Sequence, residues 1–121
     1  MKHNYQEDQQ LITCVLQRGK ADKVVRAALD AGAAAATVFF ARGMGLRERL
    51  GLLGLAIVPE KEVIMIVTRR ADTQRVFDVI VNAAKLNTPG MGIAYVTPIY
   101  AVAGFIPETV AGDPIASEKA D

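Results

Sequence analysis

Four short apolar runs, interleaved with two segments of helical periodicity, leave this chain very few folds to choose from. Residues 11–16 read Leu-Ile-Thr-Cys-Val-Leu, short and apolar at successive positions, the pattern of a sheet strand covered on at least one side. After Gln17-Arg18-Gly19-Lys20, residues 22–31 carry Val24, Val25, Ala28 and Leu29 at three- and four-residue steps, which predicts a helix stopped at Gly32. Residues 36–41, Ala-Thr-Val-Phe-Phe-Ala, favour a pleated strand that ends at Arg42. A third strand is expected over 62–67, closed by Thr68-Arg69-Arg70. Asp72 is placed to cap a second helix running to about Lys85, with Val76, Phe77, Ile80, Ala83 and Ala84 along one stripe. Residues 93–97 supply the fourth strand, which Pro98 is expected to end.

The order βαββαβ is two split βαβ units, and right-handed crossovers put both helices on one face of a four-stranded antiparallel sheet. The expected class is therefore α+β, ferredoxin-like, with a polar tail at 1–10, a single domain at 11–106 and a flexible tail at 107–121. Ala21-Asp22 and Ala71-Asp72 open the two helices, and Gly43-Met44-Gly45 and Gly90-Met91-Gly92 border strands in each half, a faint internal symmetry. The first and third strands are apolar on both faces although helices cover only one, so a partner must cover the other. Oligomerisation is the simplest cover.

Composition removes whole classes of function. Fourteen Lys and Arg against thirteen Asp and Glu give a net charge of +1, so no global field draws the chain to nucleic acid or acidic lipid. The single cysteine, Cys14, lies mid-strand with Ile12 and Leu16 on its own face, as an inert buried thiol does, and no internal disulfide can form. Met1 to Gln10 is too polar for a secretory signal, and no apolar stretch approaches the roughly 20 residues that cross a bilayer, so a cytoplasmic location is expected. The only histidine, His3, lies in the polar tail, which leaves histidine catalysis and a His-rich metal site without support. No catalytic residue, no obligatory cofactor and no metal site is assigned, and the chain reads as a non-enzyme.

The charged run Arg47-Glu48-Arg49 reads more simply as a solvated loop than as a clamp, and Arg69-Arg70 as a solubilising strand end rather than an anion site. The glycine pairs carry more. At strand ends they allow positive φ or close approach of a ligand to backbone N–H groups, although each alone reads equally well as a tight turn. Between them lies an unusually apolar connection, with Leu46, Leu50, Leu52, Leu53, Leu55 and Ile57 in place of the usual polar residues. Such a segment either packs on its own assembly or meets a partner's hydrophobic surface.

Taken together, residues 11–17, 20–32, 37–45, 59–67 and 90–96 resemble the P-II nitrogen regulatory family, a resemblance that covers most of the chain. The shared features are the first strand, the Ala-Gly helix end, Thr-Val ahead of a Gly-x-Gly, Pro59 before the third strand, and a Gly-x-Gly before the last. The resemblance implies a ferredoxin-like homotrimer that holds an adenine nucleotide in each cleft between subunits. A loop after the second strand would reach a regulated protein, often a membrane transporter. Carried over by position, Thr37 and Ile66 would lie near the adenine, and Gly43, Met44, Gly45, Gly90, Met91 and Gly92 would offer backbone to ribose and phosphates. Leu46, Arg47, Arg49, Leu50, Leu52 and Leu53 would belong to the partner-binding loop, within 43–60.

The family's basic residues after the second Gly-x-Gly and on the last strand are replaced here by Ile93, Gly104 and Ile106. Backbone N–H groups are a weak substitute for charge-assisted bonds to a triphosphate. No tyrosine stands between Gly45 and Pro59, so the family's tyrosine modification has no acceptor there. The chain looks closest to P-II-like variants that sense AMP, ADP, ATP or bicarbonate in the service of transport. The competing reading is a CutA-like structural or metal-tolerance trimer without nucleotide control. An acylphosphatase-like enzyme, with Arg18-Gly19-Lys20 as its anion loop, is set aside because no motif for its positioning asparagine is recognisable.

Overall fold

The computed structural model describes residues 5–6, 8–44 and 60–104. In chain order the elements are β1 (Tyr5–Gln6), β2 (Gln9–Gln17), α1 (Ala21–Asp30), β3 (Thr37–Arg42), β4 (Glu60–Arg69), α2 (Arg70–Ala84), β5 (Gly92–Ile99) and β6 (Val102–Ala103). Four strands form one antiparallel sheet in the order β3-β4-β2-β5, and β1 pairs with β6 in a separate two-stranded ribbon. The α+β, ferredoxin-like class expected from the pattern is the fold observed.

Strand alternation decides what the helices cover. Ile12, Cys14 and Leu16 of β2 face the same side as Ile64 and Ile66 of β4, and all five are essentially enclosed. Ala21, Val24 and Ala28 of α1 and Val76, Ile80 and Ala84 of α2 close over them in one apolar cluster. Neither described helix lies on the opposite sheet face. There one cross-strand row runs Phe39, Val63, Val15, Ile93, and the next runs Thr37, Met65, Thr13, Tyr95. Phe39, Ile93 and Tyr95 are left 43%, 59% and 46% exposed. On the same face Gln9 is buried with its Oε1 unpartnered, an atom whose desolvation goes uncompensated.

The helix ends explain two departures from expectation. α1 stops as expected: Gly32 has φ 109, and the N–H of Ala33 donates to Ala28 O at 3.0 Å, the six-residue closure of a Schellman motif. α2 uses the same closure, Leu86 N to Val81 O at 3.1 Å, but Lys85 occupies the left-handed position. Its start differs too. Asp72 is not the cap, because Arg69 ends the strand and opens the helix without any intervening turn. Asp72 instead sits in the first turn, where its carboxylate suits the helix dipole and accepts from Arg75 Nη2 at 3.0 Å.

Three strands also outrun their expected ends. β2 begins at Gln9 and β4 spans Glu60–Arg69 because the ladder between them runs unbroken from Gln9–Arg69 to Gln17–Lys61. β5 passes through Pro98 to Ile99. It pairs only with β2, and an edge strand tolerates a residue without an N–H.

Candidate functional site

Antiparallel pairing brings four strand ends to one end of the sheet. β2 leaves at Gln17, β3 leaves at Arg42 into Gly43 and Met44, β4 enters at Glu60, and β5 enters at Gly92. The two glycine segments therefore share a level of the sheet. They do not meet within one chain: β3 and β5 are its opposite edges, three strand spacings or about 14 Å apart.

Side chains from the two central strands fill the space between. Gln17 and Lys61 are directly opposite in the β2–β4 ladder, and Lys61 Nζ donates to Gln17 Oε1 at 3.1 Å. Gln17 Nε2 in turn donates to Gly90 O at 3.2 Å, tying the second glycine segment to the sheet end. Lys61 is only 8% exposed, and a Cβ built at Gly43 would lie 3.9 Å from its Cγ. One buried ammonium thus stands beside the first glycine segment and, through Gln17, reaches the second. Lys61 and Gln17 form no sequence motif: they stand 44 residues apart, and only the strand register joins them.

A carboxylate organises the neighbouring turn. Glu62, buried on the helix side of β4, accepts from Gly19 N at 2.7 Å and Ala21 N at 3.0 Å. It thereby occupies donors at the start of α1 that its own first residues cannot satisfy. Next to it Arg18 Nη1 pairs with Glu60 at 2.6 Å across the surface.

The individual expected residues fall as follows. Gly43 and Met44 are exposed at the end of β3, and Gly90, Met91 and Gly92 form the turn into β5, with φ of 84 at Gly90 and 141 at Gly92. Gly92 is packed tightly: an added Cβ would fall 2.3 Å from Val15 O. Thr37 is exposed on the uncovered face of β3, opposite Met65, at the far end of the strand from Gly43. Ile66 is 1% exposed and belongs to the core beneath the helices. Gly45 and the loop residues Leu46, Arg47, Arg49, Leu50, Leu52 and Leu53 lie outside the described residues, as does the tail from Pro107.

Charged groups described at this sheet end are engaged with neighbouring side chains or with backbone: Lys61 with Gln17, Glu62 with Gly19 and Ala21, and Arg18 with Glu60. Cys14 lies mid-strand in the core, 0% exposed, and burial raises its thiol to about 11. Among the described residues no group of three His, Cys, Asp or Glu could hold a metal ion, and no helix is long and apolar enough to cross a membrane. At the sheet end the described residues leave backbone exposed at one glycine segment, turn tightly at the second, and hold a buried cation between the two.

The fold and sequence both have relatives. Over 77% of the chain and 78% of its counterpart, the structure superposes on Arabidopsis thaliana PII bound to citrate, with a TM-score of 0.60 at 20% identity, a likeness of fold. No curated protein matches the sequence. The family description "Nitrogen regulatory protein P-II" matches residues 9–107, nearly the whole of the described sheet and both helices. By that match across most of its length, the chain belongs to the P-II nitrogen regulatory protein family.

Proposed function

We propose that this chain is a regulatory, non-catalytic P-II-like trimer that senses a small ligand in clefts between subunits. The ligand is an adenine nucleotide (AMP, ADP or ATP) or bicarbonate, and occupancy alters the 43–60 loop that engages a regulated protein, a membrane transporter being the favoured partner. One observation supports it above others: the glycine segments share a sheet end yet sit on opposite edges of one chain, an arrangement in which neighbouring copies can bring the first of one beside the second of another. The uncovered apolar sheet face supplies a reason for copies to associate.

Within that reading Gly43, Met44, Gly45, Gly90, Met91 and Gly92 present main chain to ribose and phosphate, and Thr37 lines the adenine end. Ile66 contributes packing beneath the strand rather than contact. Lys61 takes over part of the charge that Ile93, Gly104 and Ile106 cannot supply, which favours one or two phosphates over three. A ligand-dependent switch needs the ligand to prefer one loop state by about 1 to 3 kcal/mol.

Titration calorimetry of the full-length protein against AMP, ADP, ATP, bicarbonate and citrate tests the reading; citrate joins the panel because it is bound to the plant PII of similar fold. Binding of one adenine nucleotide or bicarbonate per subunit, weakened at least tenfold by Lys61→Met, is expected. A trimer that binds none of them would sink the proposal.

A further inference from the structure

On the helix side of the same sheet end, the start of α1 and the end of α2 enclose a cleft of about 210 Å³. Lys20, Lys23 and Lys85 rim it, and Val24, Ala84 and Met91 help line it. All three lysines are exposed, none forms an ion pair with a described residue, and no carboxylate lines the cleft. Their positions run against ordinary helix electrostatics. Lys20 is the N-cap residue just before α1 and Lys23 is in its first turn, where the positive end of the dipole disfavours cations. The nearby carboxylates, Glu62 held by the N–H groups of Gly19 and Ala21 and Asp22 in the first turn of α1, do not line the cleft.

Lys85 is a second, independent oddity. It is the only non-glycine residue at positive φ among those described, with φ 54 and ψ 45 in a position that Gly or Asn usually takes. Residues held in sparsely populated backbone regions gather at functional sites. Here the conformation sets a third ammonium at a cleft that already has two.

We infer that this cleft is a binding site for a compact polyanion, a small di- or tricarboxylate or a phosphate monoester. Three cations concentrated around a partly apolar floor match a ligand with clustered negative charge on a short skeleton. The volume falls short of the roughly 300–1,000 Å³ of pockets for drug-sized ligands, so a whole nucleotide does not fit. The site shares Met91 with the second glycine segment, but its three lysines are not among the residues of the nucleotide reading, and the lysine variants therefore test it separately.

The test is calorimetry and thermal unfolding of the full-length protein with citrate, succinate, inorganic phosphate and glycerol phosphate, against sodium chloride of equal ionic strength. Saturable binding is expected, weakened about tenfold by each of Lys20→Gln and Lys23→Gln and abolished in the triple variant with Lys85→Asn. Asn keeps the left-handed turn, so that variant folds. Without anion, the triple variant should be as stable as the wild type or more so, because repulsion is relieved; a merely structural role predicts the reverse. Carboxylate and phosphate arms separate the two chemistries. Equal anion response in wild type and triple variant overturns the inference. So does loss of AMP binding together with anion binding in that variant, which would make the cleft part of the nucleotide site.

Discussion

Two buried side chains show how the environment of one residue fixes its behaviour. Cys14 is fully enclosed, and its thiol is pushed from 9.0 to about 11 by burial alone. The folded chain therefore holds this proton more tightly than the unfolded one, so its contribution to stability is complete below about pH 9 and is lost as pH rises toward about 11. The loss approaches about 2 kcal/mol at the top of that window. Urea unfolding of wild type and Cys14→Ala at about pH 8 and about pH 10.5 should show the variant's deficit shrinking at the higher pH, and native protein should resist thiol reagents. Glu62 behaves differently because its carboxylate is spoken for by two N–H groups. Glu62→Ala leaves Ala21 N buried without an acceptor and should cost about 2 to 3 kcal/mol, whereas Glu62→Gln keeps one acceptor oxygen and should cost about half as much. Equal losses in denaturant melts would mean that the charge, and not the bonds, is what matters.

At the scale of elements, the two glycine segments separate structural need from ligand access. Gly92 has φ 141 and no room for a Cβ against Val15 O, so Gly92→Ala should disturb the β2–β5 pairing and cost about 2 kcal/mol or more. At Gly43 an added methyl meets nothing nearer than Lys61 at 3.9 Å, so Gly43→Ala should leave the melting temperature nearly unchanged. Any loss of ligand affinity in that variant then reports a blocked approach to the backbone. The four strands of the main sheet and both helices were legible in the sequence because each rests on local patterning: Val24 and Ala28 on one helix face, Ile64 and Ile66 on one strand face, Gly32 as a stop. The β1–β6 ribbon was not, because β1 falls in the segment read as a polar tail and a two-residue strand shows no periodicity. The ends of the main strands and helices were less legible than their presence. Pro98 reads as a terminator until β5 proves to be an edge, and Lys85 ends α2 in a conformation that its residue type does not announce. The candidate site divides the same way. Glycines at strand ends advertise themselves, but the Lys61–Gln17–Gly90 bridge and the grip of Glu62 on α1 depend on strand register across more than forty residues.

For the whole molecule the decisive quantity is the apolar surface that the two described helices leave open. Helices close one face of the sheet, while Phe39, Val15 and Ile93 line up across three strands of the other, flanked by Tyr95. Burying apolar surface contributes about 25 cal/mol per Å² before the costs of association are met, so the proposed assembly has a driving force on this face. The same association would carry the first glycine segment of one copy toward the second of another, joining assembly to ligand binding. Ile93→Glu tests both together. Ile93 is 59% exposed in the single chain, so a carboxylate there should leave the fold intact by circular dichroism. In the assembly it would be a buried, unpaired charge costing several kcal/mol per interface. Light scattering should therefore report a folded monomer, and calorimetry should find no binding of the nucleotide or bicarbonate proposed as the ligand. A variant that stays trimeric would move the interface elsewhere; a monomer that still binds would place the ligand within one chain and dissolve the link between assembly and sensing.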